Sequence, residues 1–165
     1  MKLFENLFSG SGSMEIAAPV AGKLVGISEV KDDVFSKELL GKGVAIIPSD
    51  SRFVSPVDGI VTMTFPTGHG VAVVSDEGAE ILIHVGMDTV KLRGKHFTVH
   101  VEEGWKVKRG ELLLEADIKQ IEAEGYDIVT PIVVCNSDDF SEYKAAEPGE
   151  IRQGEIILKF QRREE

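Results

Sequence analysis

Apolar and polar positions change places every one or two residues along most of the chain. The stretches Val44 to Ile47, Val71 to Ser75, Glu80 to Val85, Phe97 to Val101, Ile132 to Cys135 and Glu155 to Phe160 are short and rich in Val and Ile. Turn-forming residues flank them, which predicts short strands joined by tight turns. Two phrases repeat. IAAPVAGKLVGI (16–27) and FVSPVDGIVTMTF (53–65) share a small residue, Pro-Val, one further residue, Gly, and then an alternating apolar run. Pro can open a strand or lie at a sheet edge, and Gly permits a bulge or a close approach. The repeat therefore predicts an internally duplicated β unit. A third phrase, EEGWKVKRGELLLEAD (102–117), ends in another apolar strand. Helical signals are sparse. DIKQIEAEG has Asp117 as an N-cap and Gly125 as a stop, and DDVFSKELLG predicts one or two turns ending at Gly41. The expected fold class is all-β: an antiparallel β-sandwich, or a barrel-like relative, with repeated hairpin units and one or two short helices.

The first residues differ from the rest. In MKLFENLF, Leu3, Phe4, Leu7 and Phe8 share one helical face, and Ser9 to Ser13 then read as a flexible linker. Eight residues are too few for a stable lone helix, and a single Lys attracts anionic lipid weakly. The expectation is a tail with its linker over 1–13, making at most weak membrane contact, and one domain over 14–165.

Composition narrows the partners. The chain has 165 residues, 42% of them hydrophobic, enough for a real core. A net charge of −10 argues against nucleic acid, whose phosphates call for Lys and Arg. It suits salt-sensitive docking to basic surfaces. One cysteine, Cys135 in PIVVCN, excludes an internal disulfide framework and points to a reducing compartment; it reads as a buried small residue. No apolar run is long enough to span a membrane, and no signal peptide is visible. The expected location is the cytoplasm and the expected state a monomer.

Four histidines carry the candidate chemistry. His96 and His100, with Thr98, read as the solvent face of a strand. His84 is set among Ile81, Leu82, Ile83 and Val85, where a lone imidazole is either a satisfied core group or a nucleophile. His69 lies in PTGHG, flanked by Gly68 and Gly70 and preceded by Thr67. The strands on either side of DEGAE form a hairpin. Residues equidistant from about Glu77 then face one another, and His69 and His84 fall within one residue of that relation. A one-residue slip would put them on opposite faces. Two adjacent imidazoles admit three chemistries. Zinc needs further ligands, and only Asp88 is near in sequence. A Ser-His-Asp hydrolase needs a nucleophile elbow, which is absent. Phosphoryl transfer needs one imidazole to attack phosphorus, further donors on its oxygens, and apolar neighbours to exclude water.

GAEILIHVGMDTV resembles the active-site signature of the glucose-type enzyme IIA of the bacterial phosphoenolpyruvate-dependent sugar phosphotransferase system. The matching positions are Gly78, Ile81, Leu82, Ile83, His84, Val85, Gly86, Met87, Thr89 and Val90. PTGHG, APVAG, DDVFSKELLGKGVAIIP, SPVDG and VTPIVV are also similar to that family, from about Glu15 to Lys159. The resemblance implies an antiparallel β-sandwich and a phosphotransferase with a phosphohistidine intermediate. His84 would accept the phosphoryl group on Nε2, with the Gly86 carbonyl holding its other nitrogen. His69 would contact the phosphate, Thr67 would orient His69, and Asp88 would lie at the rim. Val34, Phe35, Leu39, Leu40, Phe65 and Leu82 would form a shallow apolar depression for partners. The histidine phosphocarrier protein HPr would be the donor and the cysteine of a sugar-specific IIB domain the acceptor. No metal and no organic cofactor are expected, and membrane contact would run mainly through the permease.

Two other readings stand beside it. SPVDGIV and VKRGELLLEAD resemble biotinyl and lipoyl carrier domains, but the exposed turn Lys of such a carrier is not evident. A zinc peptidase of the lysostaphin type needs a His-x-His pair, and Val85 and Gly86 follow His84 instead.

Overall fold

The computed structural model describes residues 13–163. The predicted tail and linker over 1–13 therefore lie outside the described residues except for Ser13, which opens the first strand. That strand, β1 (Ser13–Ala17), is followed by β2 (Gly22–Gly26), α1 (Asp33–Ser36), β3 (Lys42–Pro48), β4 (Arg52–Val54), β5 (Gly59–Thr64), β6 (Gly70–Ser75), β7 (Glu80–His84) and β8 (Phe97–Val99). The rest are β9 (Lys106–Val107), β10 (Leu112–Ala116), α2 (Ile118–Ala123), β11 (Thr130–Val134), β12 (Phe140–Ala145), β13 (Gly149–Ile151) and β14 (Ile156–Arg162). An eight-stranded sheet runs β13-β2-β3-β11-β7-β6-β5-β9, and two three-stranded sheets run β1-β14-β12 and β4-β10-β8. All pairings are antiparallel. This is the expected β-sandwich, with two short α-helices among the described residues.

The period-two pattern sorts the large sheet into two faces. Leu24, Val44, Ile46, Val61, Val71, Val73, Ile81, Ile83, Ile132 and Val134 point inward and meet Ile16, Phe53, Leu114 and Phe160 of the small sheets in the main core. The residues between them, Val25, Ala45, Ala72, Leu82 and Val133, point outward into a second cluster, closed by Val30, Phe35, Met87 and Val129. Removing a ring such as Phe35 from water stabilises the fold by roughly 1.5–3 kcal/mol. The second cluster matters because His84 continues the outward row of Leu82.

The repeat is real and has a common cause. Gly22 and Gly59, at the same place in each phrase, each lie where a Cβ would stand about 2 Å from a neighbouring strand's carbonyl, Ile47 and Val74 respectively. The two copies also bond across to each other, Ala17 N–H to the Pro56 carbonyl at 3.1 Å and Val54 N–H to the Pro19 carbonyl at 2.9 Å.

Three expectations need correction. The helix in DDVFSKELLG is one turn, capped by Asp32, whose Oδ1 accepts from Val34 N–H at 2.9 Å; Glu38 then takes a left-handed φ of 56° and ends it well before Gly41. Cys135 is exposed rather than buried, because β11 stops at Val134. His96 lies just before β8 with a left-handed φ of 75°, and its ring is tied to the Glu124 carboxylate.

Candidate active site

β6 and β7 pair as a hairpin with Gly70 opposite His84 and Val71 opposite Ile83. In a continued ladder His69 would face Val85 and point to the core side, away from His84. The ladder does not continue. His69 precedes β6, in a turn where Gly68 takes φ +76° and its N–H bonds to the Phe65 carbonyl. Released from alternation, the His69 ring reaches the outer face. Its centroid lies 4.9 Å from that of His84, with the planes at 84°. The His69 carbonyl still accepts from Val85 N–H at 2.7 Å, so the main chain also joins the two positions.

Apolar groups frame the pair. Phe65 lies edge-on to His69 at 4.8 Å and to His84 at 6.1 Å. Gly70 makes room for it: a Cβ there would stand 2.8 Å from the Phe65 ring. Phe35, carried by α1, meets the His84 ring at 5.1 Å. Phe35 and Leu82 are buried in one cluster against which half-buried Phe65 packs, while Val34, Leu39 and Leu40 are exposed.

Each ring is held at one nitrogen. His84 Nδ1 donates to the Gly86 carbonyl at 2.8 Å. Thr67 Oγ1 and His69 Nδ1 share a hydrogen bond of 2.7 Å. The Gly86 carbonyl is aimed by a left-handed φ of +76°, with Thr89 and the Asp127 carbonyl filling the space a side chain would need. Burial, and then the neighbouring His84, push the His69 pKa down to about 4. Burial also lowers His84, opposed by the Gly86 hydrogen bond and by the charges of Asp32 and Asp88. Both rings are thus neutral at neutral pH, and a neutral His84 with hydrogen on Nδ1 keeps a lone pair on Nε2.

Asp88 caps the 3₁₀ turn after β7 with φ 60°, its side chain makes no cap hydrogen bond, and its charge raises the His84 pKa. Asp32 acts on His84 in the same way and was missed in the sequence. The sequence marks it only as the cap of the turn that delivers Phe35, not as a neighbour of His84. His96 and His100 lie apart from the paired rings, bonded to Glu124 and Glu115. Among the described residues, no three His, Cys, Asp or Glu side chains gather as metal ligands, and no helix is long and apolar enough to cross a membrane.

The sandwich thus carries two facing imidazoles at the open end of one hairpin. Residues 14–140 match the model of the phosphoenolpyruvate-dependent sugar phosphotransferase system, EIIA 1, and the chain belongs to that family. It is 40% identical to the glucose-specific EIIA component of Oceanobacillus iheyensis over 93% of this chain and 95% of that one. It is 49% identical to the beta-glucoside-specific EIIBCA component of Bacillus subtilis over 89% of this chain, but spans only 24% of that protein's length. Its fold superposes on the glucose permease IIA of Mycoplasma capricolum with a TM-score of 0.85 at 32% identity, covering 92% of this chain and 97% of that one. The chain is therefore an EIIA domain of the glucose type.

Proposed function

We propose that the domain works in the cytoplasm as a phosphocarrier, with His84 as the covalent acceptor. The single observation that carries this is the perpendicular pair of uncharged imidazoles, one with a free Nε2 lone pair, set in apolar surroundings. In the first half-reaction, the His84 Nε2 lone pair forms a bond to the phosphorus held on the histidine of HPr. The donor's P–N bond breaks and its electron pair returns to the donor ring. In the second, the thiolate of a IIB cysteine attacks the same phosphorus, and the electrons of the His84 Nε2–P bond return to the ring. His69 donates Nε2–H to a phosphoryl oxygen, with Thr67 giving its hydroxyl hydrogen to Nδ1. Phe35 and Phe65 keep water from the phosphoramidate. Val34, Leu39 and Leu40 offer apolar contact, and Asp32 and Asp88 favour a basic partner rim.

The test separates the two rings. His84→Gln removes the only atom placed to bond phosphorus and should accept no label from phosphoenolpyruvate through the two general proteins. His69→Gln should accept label but pass it to sugar through membranes containing IIB roughly 10²–10³-fold more slowly, the worth of one charge-stabilising donor. Equal loss of both steps in the two variants would reject this division of labour.

A further inference from the structure

Thr89 exposes none of its surface, yet it carries a hydroxyl. That hydroxyl donates to the Val85 carbonyl at 2.6 Å. The Val85 N–H is taken by the His69 carbonyl at 2.7 Å, and Met87 N–H by the Asp127 carbonyl at 2.9 Å. Thr89 Cγ2 and the Asp127 carbonyl also pack against Gly86, 2.6 and 2.9 Å from where a Cβ would stand. The loop after β7 is therefore pinned on both sides of Gly86. What remains for its carbonyl is the Nδ1–H of His84, at 2.8 Å.

Which nitrogen of a neutral imidazole carries the hydrogen is set by the bond the other nitrogen makes. If the Gly86 carbonyl drifted, the hydrogen could move to Nε2, the atom that must attack. We infer that Thr89 is a positioning residue: through Val85 and Gly86 it holds His84 in the Nδ1–H tautomer and keeps the nucleophilic lone pair in place. The inference rests on the reading of His84 as acceptor but is tested apart from it.

Thr89→Val keeps the buried shape and removes only the hydroxyl, and Thr89→Ser keeps the hydroxyl. Long-range proton–nitrogen spectra of the unphosphorylated full chain report the tautomer directly. The wild type and Thr89→Ser should give the Nδ1–H pattern at His84. Thr89→Val should move toward a mixture and accept phosphoryl about tenfold more slowly, as expected for a misplaced reacting group. Should Thr89→Val fail to fold, Thr89→Ala against Thr89→Ser makes the same comparison. A folded hydroxyl-less variant with the wild-type nitrogen pattern would overturn the inference, whatever its melting temperature. So would an altered pattern with unchanged acceptance. Label on another residue, with the tautomer still following the hydroxyl, would count against His84 as acceptor while bearing out the hold of Thr89.

Discussion

The proton balance of the two rings gives the pair its character. Both pKa values lie below the usual imidazole range: burial lowers each, and the neighbouring His84 lowers His69 further, to about 4. The sign follows. Between about pH 6.5 and 4 the unfolded chain takes up a proton at position 69 that the native protein refuses, so acid favours unfolding over that window. Stability from this source is complete above pH 6.5 and is lost as pH falls. His69→Gln has no ring to titrate. Denaturant titrations from pH 7 to 4 should show the wild type losing more stability on acidification than His69→Gln. Equal acid sensitivity would mean that His69 titrates normally in the folded state.

At the level of elements, glycines decide where strands end and loops turn. Gly86 combines a left-handed φ with contacts on both sides, so Gly86→Ala should cost about 2 kcal/mol or more, from αL strain plus the clash with the Asp127 carbonyl. Phosphoryl acceptance should fall on the order of a hundredfold, since the carbonyl that holds His84 is displaced. Thermal unfolding and a label-uptake assay would check both; an undisturbed transfer rate would show that the Gly86 carbonyl is dispensable. Most strands were legible because alternation and burial agree, as in Val71 to Ser75 and Glu80 to His84. β12 was not read: FSEYKA has only Phe140 and Tyr143 to mark it, and Glu142 breaks its period with a left-handed φ of 56°. β13 was missed because three residues, GEI, carry almost no pattern. The juxtaposition of His69 and His84 was anticipated, but by the wrong cause. Strand register alone separates the rings, and the turn before Gly70 reunites them.

On the scale of the whole molecule, the sandwich supplies a rigid main core on one face of its large sheet and a small apolar platform on the other. The paired rings sit at the platform's edge, where one hairpin opens. That His84, His69 and Thr67 come together was legible from the hairpin and from motifs that resemble a known family. Asp32 was not, because its approach to His84 depends on how residues 27–41 fold over the outer face, a tertiary arrangement no local pattern records. Phosphoryl transfer by the proposed route requires the group to reside on Nε2 of His84. Incubating the chain with phosphoenolpyruvate and the two general phosphotransferase proteins, then locating the modification by fragment mass spectrometry, tests that most directly. The expected result is one phosphoryl group on His84, lost in mild acid, stable in alkali and absent from His84→Gln. An acid-stable modification, or one that persists in His84→Gln, would contradict it.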